Sequence, residues 1–252
     1  MPGRALSFGA VAENYERFRP GYPDEVADTV LAYAGRPIGT ALEIGAGTGK
    51  ATRLFAERGI AVTATDPDED MLVELRKHLP SNVRTARGAL EDLPPGGDYA
   101  MVYAASSLHW TEPVDRWPRV ASMLVPGGVF ASFGGRTLLT DPALLDAVNA
   151  ARKPFLDSDE IPSPDGTPPE QDMQWPGTEL QQSELFTDVR QEVVARRSTM
   201  TAEDYIGLLS TISAYLELPP STRQRVYGRI LAVLPATVKV NADLMIHLAR
   251  RI

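Results

Sequence analysis

Glu43, Gly45, Gly47 and Gly49 stand at alternate positions in the stretch ALEIGAGTGK, residues 41–50. Apart from the acid, the run up to Ile44 is apolar, which reads as a buried strand before a glycine turn. Glycines without side chains let a ligand lie against bare backbone, near the positive end of the helix that follows. The other use of such a turn is close packing alone. A second acid argues for the ligand. Asp66 ends the next apolar stretch, 17 residues after Gly49, where a carboxylate can accept hydrogen bonds from two ribose hydroxyls. Beside Pro67 it could also cap a helix, and the two roles are compatible.

The spacing rules out two nucleotide motifs. A dinucleotide fingerprint counted from Gly45 needs a glycine where Lys50 stands. A phosphate loop needs glycine in place of Ile44 and a hydroxyl in place of Ala51. Further along, His109 follows Ser106-Ser107-Leu108 and is the candidate base, since an imidazole can take a proton near neutral pH. Equally, it could bond a backbone carbonyl and only shape a pocket. Trp110 beside it is either packing or the wall of an acceptor site. His78, next to Lys77 on an expected helix, reads as solvated, and His247 as structural. Three scattered histidines, with no carboxylate between Asp98 and Glu112, make no metal site, and none is expected.

The elements that must position these residues alternate between helix and strand, as a parallel α/β sheet requires. Strands are expected at 40–44, 61–65, 83–87, 98–104 and 129–133, the last after a tight turn at Val125–Gly128. Helices are expected at 48–58, 69–79 and 117–124. Asp24 follows Pro23 and can cap a helix with Val26, Val30, Leu31 and Ala34 on its apolar face. Beyond Gly134 the rhythm changes. Helices are expected at 142–153, 202–212 and 221–234, and a closing strand at 243–249. Between them, Ser158–Gly177 is crowded with prolines and acids, and a long irregular loop in a compact chain is functional or disordered.

The 252 residues suffice for one large domain, or one carrying a substantial cap. A net charge of −8 provides no general attraction for nucleic acid or anionic membrane. Cysteine is absent, which excludes disulfides and thiolate chemistry. The opening MPGRALSFGAVAENYERF has no apolar core of signal-peptide length, so a cytoplasmic location is expected.

The pattern E-x-G-x-G-x-G, Glu43 to Gly49, resembles motif I of class I S-adenosylmethionine-dependent methyltransferases. TATDPDEDML, Thr63 to Leu72, is similar to their ribose-binding segment, and GALEDLP, Gly88 to Pro94, to the adenine-facing segment of the small-molecule (type 11) group. YAMVYAASSLHW, Tyr99 to Trp110, and LVPGGVFASF, Leu124 to Phe133, resemble strand four with its loop and the turn into strand five. FGAVAENYERFRPGYP, Phe8 to Pro23, resembles the opening of the trans-aconitate-type subgroup.

The resemblance implies a Rossmann-like α/β fold. Its seven-stranded, mostly parallel sheet has helices on both faces and an antiparallel last strand. An N-terminal helical segment and a C-terminal helical cap or insertion are added. A single domain over 1–252 would divide into an N-terminal lid at 1–35, a cofactor core at 36–135, a cap at 136–235 and a closing strand at 236–252. S-adenosylmethionine would be the cofactor and S-adenosylhomocysteine its product. Gly45, Ala46, Gly47 and Gly49, with Glu43, would meet the methionine end. Asp66 and Pro67 would meet the ribose, while Ala89, Leu90 and Glu91 would border the adenine. Ala105 would complete the set, with Tyr15 and Arg19 reaching the cofactor's carboxylate from the N-terminal segment. Phe18, Tyr22, His109, Trp110 and Arg136 would face the acceptor. A base-modifying nucleic-acid enzyme would carry an Asn/Asp-Pro-Pro-aromatic run where Ser106–His109 stand. A small-molecule acceptor is therefore expected, in natural-product metabolism, for a monomer or homodimer with no nucleic-acid or membrane partner. The alternative is a cofactor-binding protein with a non-methylating role.

Overall fold

The computed structural model of the chain describes residues 8–252; the first seven residues of the expected N-terminal segment lie outside it. Helix α1 (Ala12–Phe18) and helix α2 (Asp24–Ala34) lead into β1 (Thr40–Ile44) and α3 (Lys50–Ala56). Then come β2 (Ala61–Asp66), α4 (Glu69–Arg76), β3 (Val83–Arg87), β4 (Tyr99–Ala105), α5 (Arg116–Met123) and β5 (Leu124–Gly134). The second half holds β6 (Leu138–Leu139), α6 (Pro142–Arg152), α7 (Gly177–Gln182), β7 (Phe186–Val194), β8 (Arg197–Thr201), α8 (Ala202–Leu209), α9 (Ser213–Leu216), α10 (Pro220–Leu231), β9 (Thr237–Asn241) and β10 (Leu244–Arg251).

Seven strands form one sheet in the order β3-β2-β1-β4-β5-β10-β7. β10 runs antiparallel to both of its neighbours, and the pairs from β3 to β5 are parallel. The order reverses between β1 and β4, and the crevice at such a switch point is where ligands collect in open α/β sheets. Glu43 and Ile44 lie at its edge, so the glycine turn opens into that crevice.

The central strands β1, β4 and β5 are buried on both faces, which explains their nearly continuous apolar runs, while the edge strands β3 and β7 are mostly exposed or half-buried. Period-two alternation sends Ala41, Met101, Tyr103 and Phe133 to a layer with Val30 of α2, Phe55 of α3 and Leu75 of α4. Leu42, Ile44, Val102, Ala104 and Phe130 go to the other face, under Trp117 and Val120 of α5 and Leu180 of α7. A separate apolar cluster around Leu208, Tyr215, Val226 and Ile230 is the core of the cap, roofed by the small sheet β6-β9-β8.

Several expected boundaries move. The helix expected from Thr48 begins at Lys50, because Gly49 holds the left-handed conformation at its start. The turn at Val125–Gly128 lies inside a strand. Leu124 pairs with Tyr99, the chain leaves the ladder, and Val129 resumes opposite Met101. The helix expected at 202–212 ends at Leu209, and a short second helix follows. Strands β6, β7, β8 and β9 were not expected. β7 is an edge strand of the main sheet, so the stretch 136–235 supplies core as well as cap, and β9 pairs within the cap sheet rather than continuing into the closing strand. Among the described residues no helix is long and apolar enough to cross a membrane.

Candidate active site

Beyond Ile44 the chain turns through Gly45, Gly47 and Gly49 at φ of +67, +56 and +85°. That region penalises any side chain, and space does so again. A Cβ would come within 2.5 Å of the Ser107 Cβ at Gly45, 3.3 Å of the Met71 methyl at Gly47 and 2.8 Å of Leu75 Cγ at Gly49. Asp66 braces the turn. Its Oδ2 accepts the Gly47 N–H at 2.8 Å and its Oδ1 the Asp68 N–H at 2.9 Å, while the Ala46 N–H donates to the Thr65 carbonyl at 2.8 Å. Burial lifts the Asp66 carboxyl to about 6, against the pull of those two N–H groups. Each carboxylate oxygen has a second lone pair, so a ligand hydroxyl can share it. The helix cap foreseen for Asp66 belongs instead to Asp68, which accepts the Asp70 N–H at 3.0 Å.

Glu43 is fully buried under the turn. Thr52 donates to its Oε2 at 2.5 Å and Tyr103 at 2.9 Å. Its Oε1 is buried without a hydrogen-bond partner, as is the Thr48 hydroxyl inside the glycine turn. Desolvation pushes the Glu43 carboxyl up to about 8, offset in part by the Thr52 and Tyr103 hydroxyls.

The neighbouring loop follows β4. Ala105 is half-buried, and Ser106 holds a positive φ of 57°, unusual for a residue with a side chain. The Ser107 hydroxyl donates to the Ile44 carbonyl at 2.5 Å, which ties this loop to the glycine turn. A single 3₁₀ turn, Leu108–Trp110, buries Leu108 and leaves His109 and Trp110 half-buried, their rings 4.5 Å apart. Tyr22 lies edge-on to Phe133 at 5.0 Å, and its hydroxyl is 3.1 Å from that of Ser106. On the far side of the crevice, Leu90 is buried, the Glu91 carboxylate accepts the Glu112 N–H at 2.6 Å, the Ala89 N–H donates to Asp92 at 3.1 Å, and the Pro67 carbonyl accepts from Arg87 at 3.2 Å.

The N-terminal segment lies between turn and cap. Glu16 of α1 pairs with Arg53 at 2.7 Å, and its carbonyl accepts from Lys50 at 2.6 Å. Phe18 packs where a Cβ at Gly207 of α8 would stand. Arg19 stacks on Tyr15 at 5.3 Å. Arg19 donates to the Thr211 hydroxyl at 2.8 Å and carbonyl at 3.0 Å. That uses one edge of the guanidinium and leaves Nη1 for another acceptor. Arg136 bonds Glu160 at 2.8 Å and Asp159 at 2.9 Å. Asp159 also pairs with Arg152. Sequence reasoning missed Thr52, Tyr103, Asp68, Ser107 and Thr211. Alternation along β4 could have found Tyr103, which the register sets opposite Glu43; nothing local marks Thr211. His78 is 3.3 Å from Glu74, and His247 is buried 2.9 Å from Gln191, its pKa lowered to about 4 by burial.

A family profile described as "Methyltransferase domain" matches residues 41–128. An uncharacterized methyltransferase of Mycobacterium tuberculosis is 33% identical over 241 residues, covering 94% of this chain and 90% of its own. The chain belongs to the class I S-adenosylmethionine-dependent methyltransferases. A trans-aconitate 2-methyltransferase of Rhizobium meliloti is 32% identical over 123 residues, 48% of each chain. Among solved structures, one from Anaeromyxobacter dehalogenans designated a type II methyltransferase superposes with a TM-score of 0.59 at 23% identity, covering 92% of this chain and 98% of that one, which speaks for the fold. The site fits the methyltransferase cofactor on its own terms. Bare glycine backbone and two unpartnered buried oxygens, Glu43 Oε1 and Thr48 Oγ1, suit a polar amino-acid end, and Asp66 retains acceptor capacity for hydroxyls. Among the described residues no group of three or more His, Asp or Glu side chains is arranged to hold a metal.

Proposed function

We propose that this methyltransferase acts on a small-molecule acceptor, held between the loop after β4 and the cap, with natural-product or small-acid metabolism as its setting. The observation that carries the reading is the 2.5 Å bond from Ser107 to Ile44, which sets the His109 loop against the glycine turn. S-adenosylmethionine, when bound, supplies a methyl group on a sulfonium, open to in-line displacement. The protein's part is position and exclusion of water. Gly45, Ala46, Gly47 and Gly49 hold the methionine end together with Glu43. Asp66 and Pro67 hold the ribose, Ala89, Leu90 and Glu91 the adenine, and Ala105 the sulfonium side. Arg19 and Tyr15 close over the carboxylate, Arg19 with the guanidinium edge that Thr211 leaves open.

His109 accepts the proton that the acceptor's oxygen, nitrogen or carbon releases. Trp110, Phe18 and Tyr22 line the acceptor side. Burial keeps the Tyr22 phenol protonated well beyond neutral pH, so it orients an acceptor as a hydrogen-bond partner, not as a base. Arg136 gives one N–H each to Asp159 and Glu160, and its Nε and remaining N–H groups are left for an acceptor. The resemblance to trans-aconitate methyltransferases makes small organic acids the first acceptors to test. Labelled methyl transfer from S-adenosylmethionine into a metabolite extract, and into an organic-acid panel, tests the proposal. Protein-dependent label in a small-molecule fraction is expected. Label found only in protein or nucleic acid, or in nothing, would overturn it.

A further inference from the structure

Tyr103 lies inside the strand-four stretch, where the resemblance assigns it no role, and it is fully buried in the central strand β4. Parallel pairing places it directly beside Glu43 of β1, with both side chains on the same face of the sheet. Its ring stacks against Phe133 at 6.1 Å and tilts against Phe55 at 4.7 Å, which fixes where the hydroxyl points. That hydroxyl donates to Glu43 Oε2, the oxygen that Thr52 also bonds, while Glu43 Oε1 has no partner. Two donors on one oxygen and none on the other is an uneven arrangement for a wholly buried carboxylate, because an unpaired buried acceptor carries a full desolvation cost.

We propose that Tyr103 is a positioning residue for the cofactor. By pinning one oxygen of Glu43, it keeps the other available to the ammonium group at the methionine end. The inference rests on the placement of that end at the glycine turn, and it assigns the control of Glu43 to a hydroxyl outside that turn. The charged and titratable groups facing Glu43 are Tyr103 from β4, Asp66 from β2, Arg53 from α3, and Tyr22 from the segment before α2. Of these, Asp66 holds the Glu43 proton on, while Arg53 and the Tyr103 and Thr52 hydroxyls favour its release. A bound ammonium favours the carboxylate as well, so binding expels a proton from Glu43 and strengthens as pH rises toward 8.

The test uses calorimetry with S-adenosylhomocysteine and with methylthioadenosine, which lacks the amino-acid end, on the full chain from pH 6 to 8.5. Tyr103→Phe keeps the ring and removes the hydroxyl. S-adenosylhomocysteine affinity at pH 7 should fall about tenfold, the scale of one hydrogen bond to a charged group. The rise of affinity with pH should move to higher pH, while methylthioadenosine binds as in the parent. Thr52→Val should shift the profile the same way, and Glu43→Gln should flatten it. Equal losses for both ligands would mean a general packing defect and overturn the proposal, as would an unchanged profile in Tyr103→Phe. If the parent chain binds methylthioadenosine but not S-adenosylhomocysteine, the placement of the methionine end fails and the inference with it.

Discussion

In the proposed function, His109 and Asp66 divide the work at the scale of single residues. His109 is half-buried on a 3₁₀ turn that Ser107 anchors, so its removal should leave the cofactor cradle intact. His109→Ala is expected to lower turnover at least tenfold while changing S-adenosylhomocysteine affinity little, a split that steady-state kinetics and calorimetry would read. Unchanged turnover on the true acceptor would make His109 structural. Asp66 carries two duties, since it braces Gly47 and Asp68 by their N–H groups as well as facing the crevice. With its carboxyl pushed up to about 6, cofactor affinity should weaken as pH falls through that value. The glycine turn and the acid that ends β2 were legible in the sequence because a left-handed turn demands glycine at fixed places and Asp66 closes an apolar run. Glu43 was legible as part of the turn. Its setting was not, because its partners Thr52 and Tyr103 come from other elements.

The strands β1, β2, β4 and β5 could be read at the scale of elements from short apolar runs closed by Gly, Pro and Asp. Strand β7 could not. It is an edge strand with mostly exposed or half-buried residues, so FTDVRQEVV lacks the apolar pattern of a buried strand. The helix expected from 202 to 212 was read too long because Thr211, though polar, is fully buried and turns the chain into α9. That turn matters, since Thr211 receives Arg19 and joins the cap to the N-terminal segment. Helix α1 meets the glycine-turn helix through Glu16, and Gly9 donates to Asp68 at 2.8 Å. Residues 8–23 therefore touch both the glycine-turn side and the cap. Hydrogen exchange should show these residues slowed when S-adenosylhomocysteine binds, and Thr211→Val should reduce that protection. Exchange unaltered by the ligand, with full affinity in Arg19→Ala, would reject the clasp.

Across the whole molecule, the buried ionisable groups under the site work against stability. Glu43 and Asp66 have folded-state pKa values of about 8 and about 6, above those of free carboxyls. The folded chain therefore holds protons that the unfolded chain has released, and stability declines as pH rises through those values. His247, lowered to about 4, acts in the opposite sense, since its contribution is lost as pH falls from the free-imidazole value toward 4. Above about pH 6.5 the His247 effect is spent and the carboxyl effect remains. The ligand-free melting temperature should fall between pH 6.5 and 8.5, and Glu43→Gln should flatten that slope while raising the melting temperature at the alkaline end. An identical slope in the variant would show that Glu43 does not titrate there. Such a cost fits a site whose carboxylates serve a ligand.

The most direct test of the account is calorimetric titration of S-adenosylhomocysteine into the parent chain, Gly47→Asp and Asp66→Ala at one pH near neutrality, with folding checked by circular dichroism. The parent should bind at one site. Gly47→Asp should abolish binding, because it puts a side chain and a negative charge on the bare backbone that the cofactor must approach. Asp66→Ala should weaken it by about 1.5–3 kcal/mol, the range for hydrogen bonds to a charged group. Parent-like affinity in both folded variants would contradict the assignment of the glycine turn and Asp66 to the cofactor.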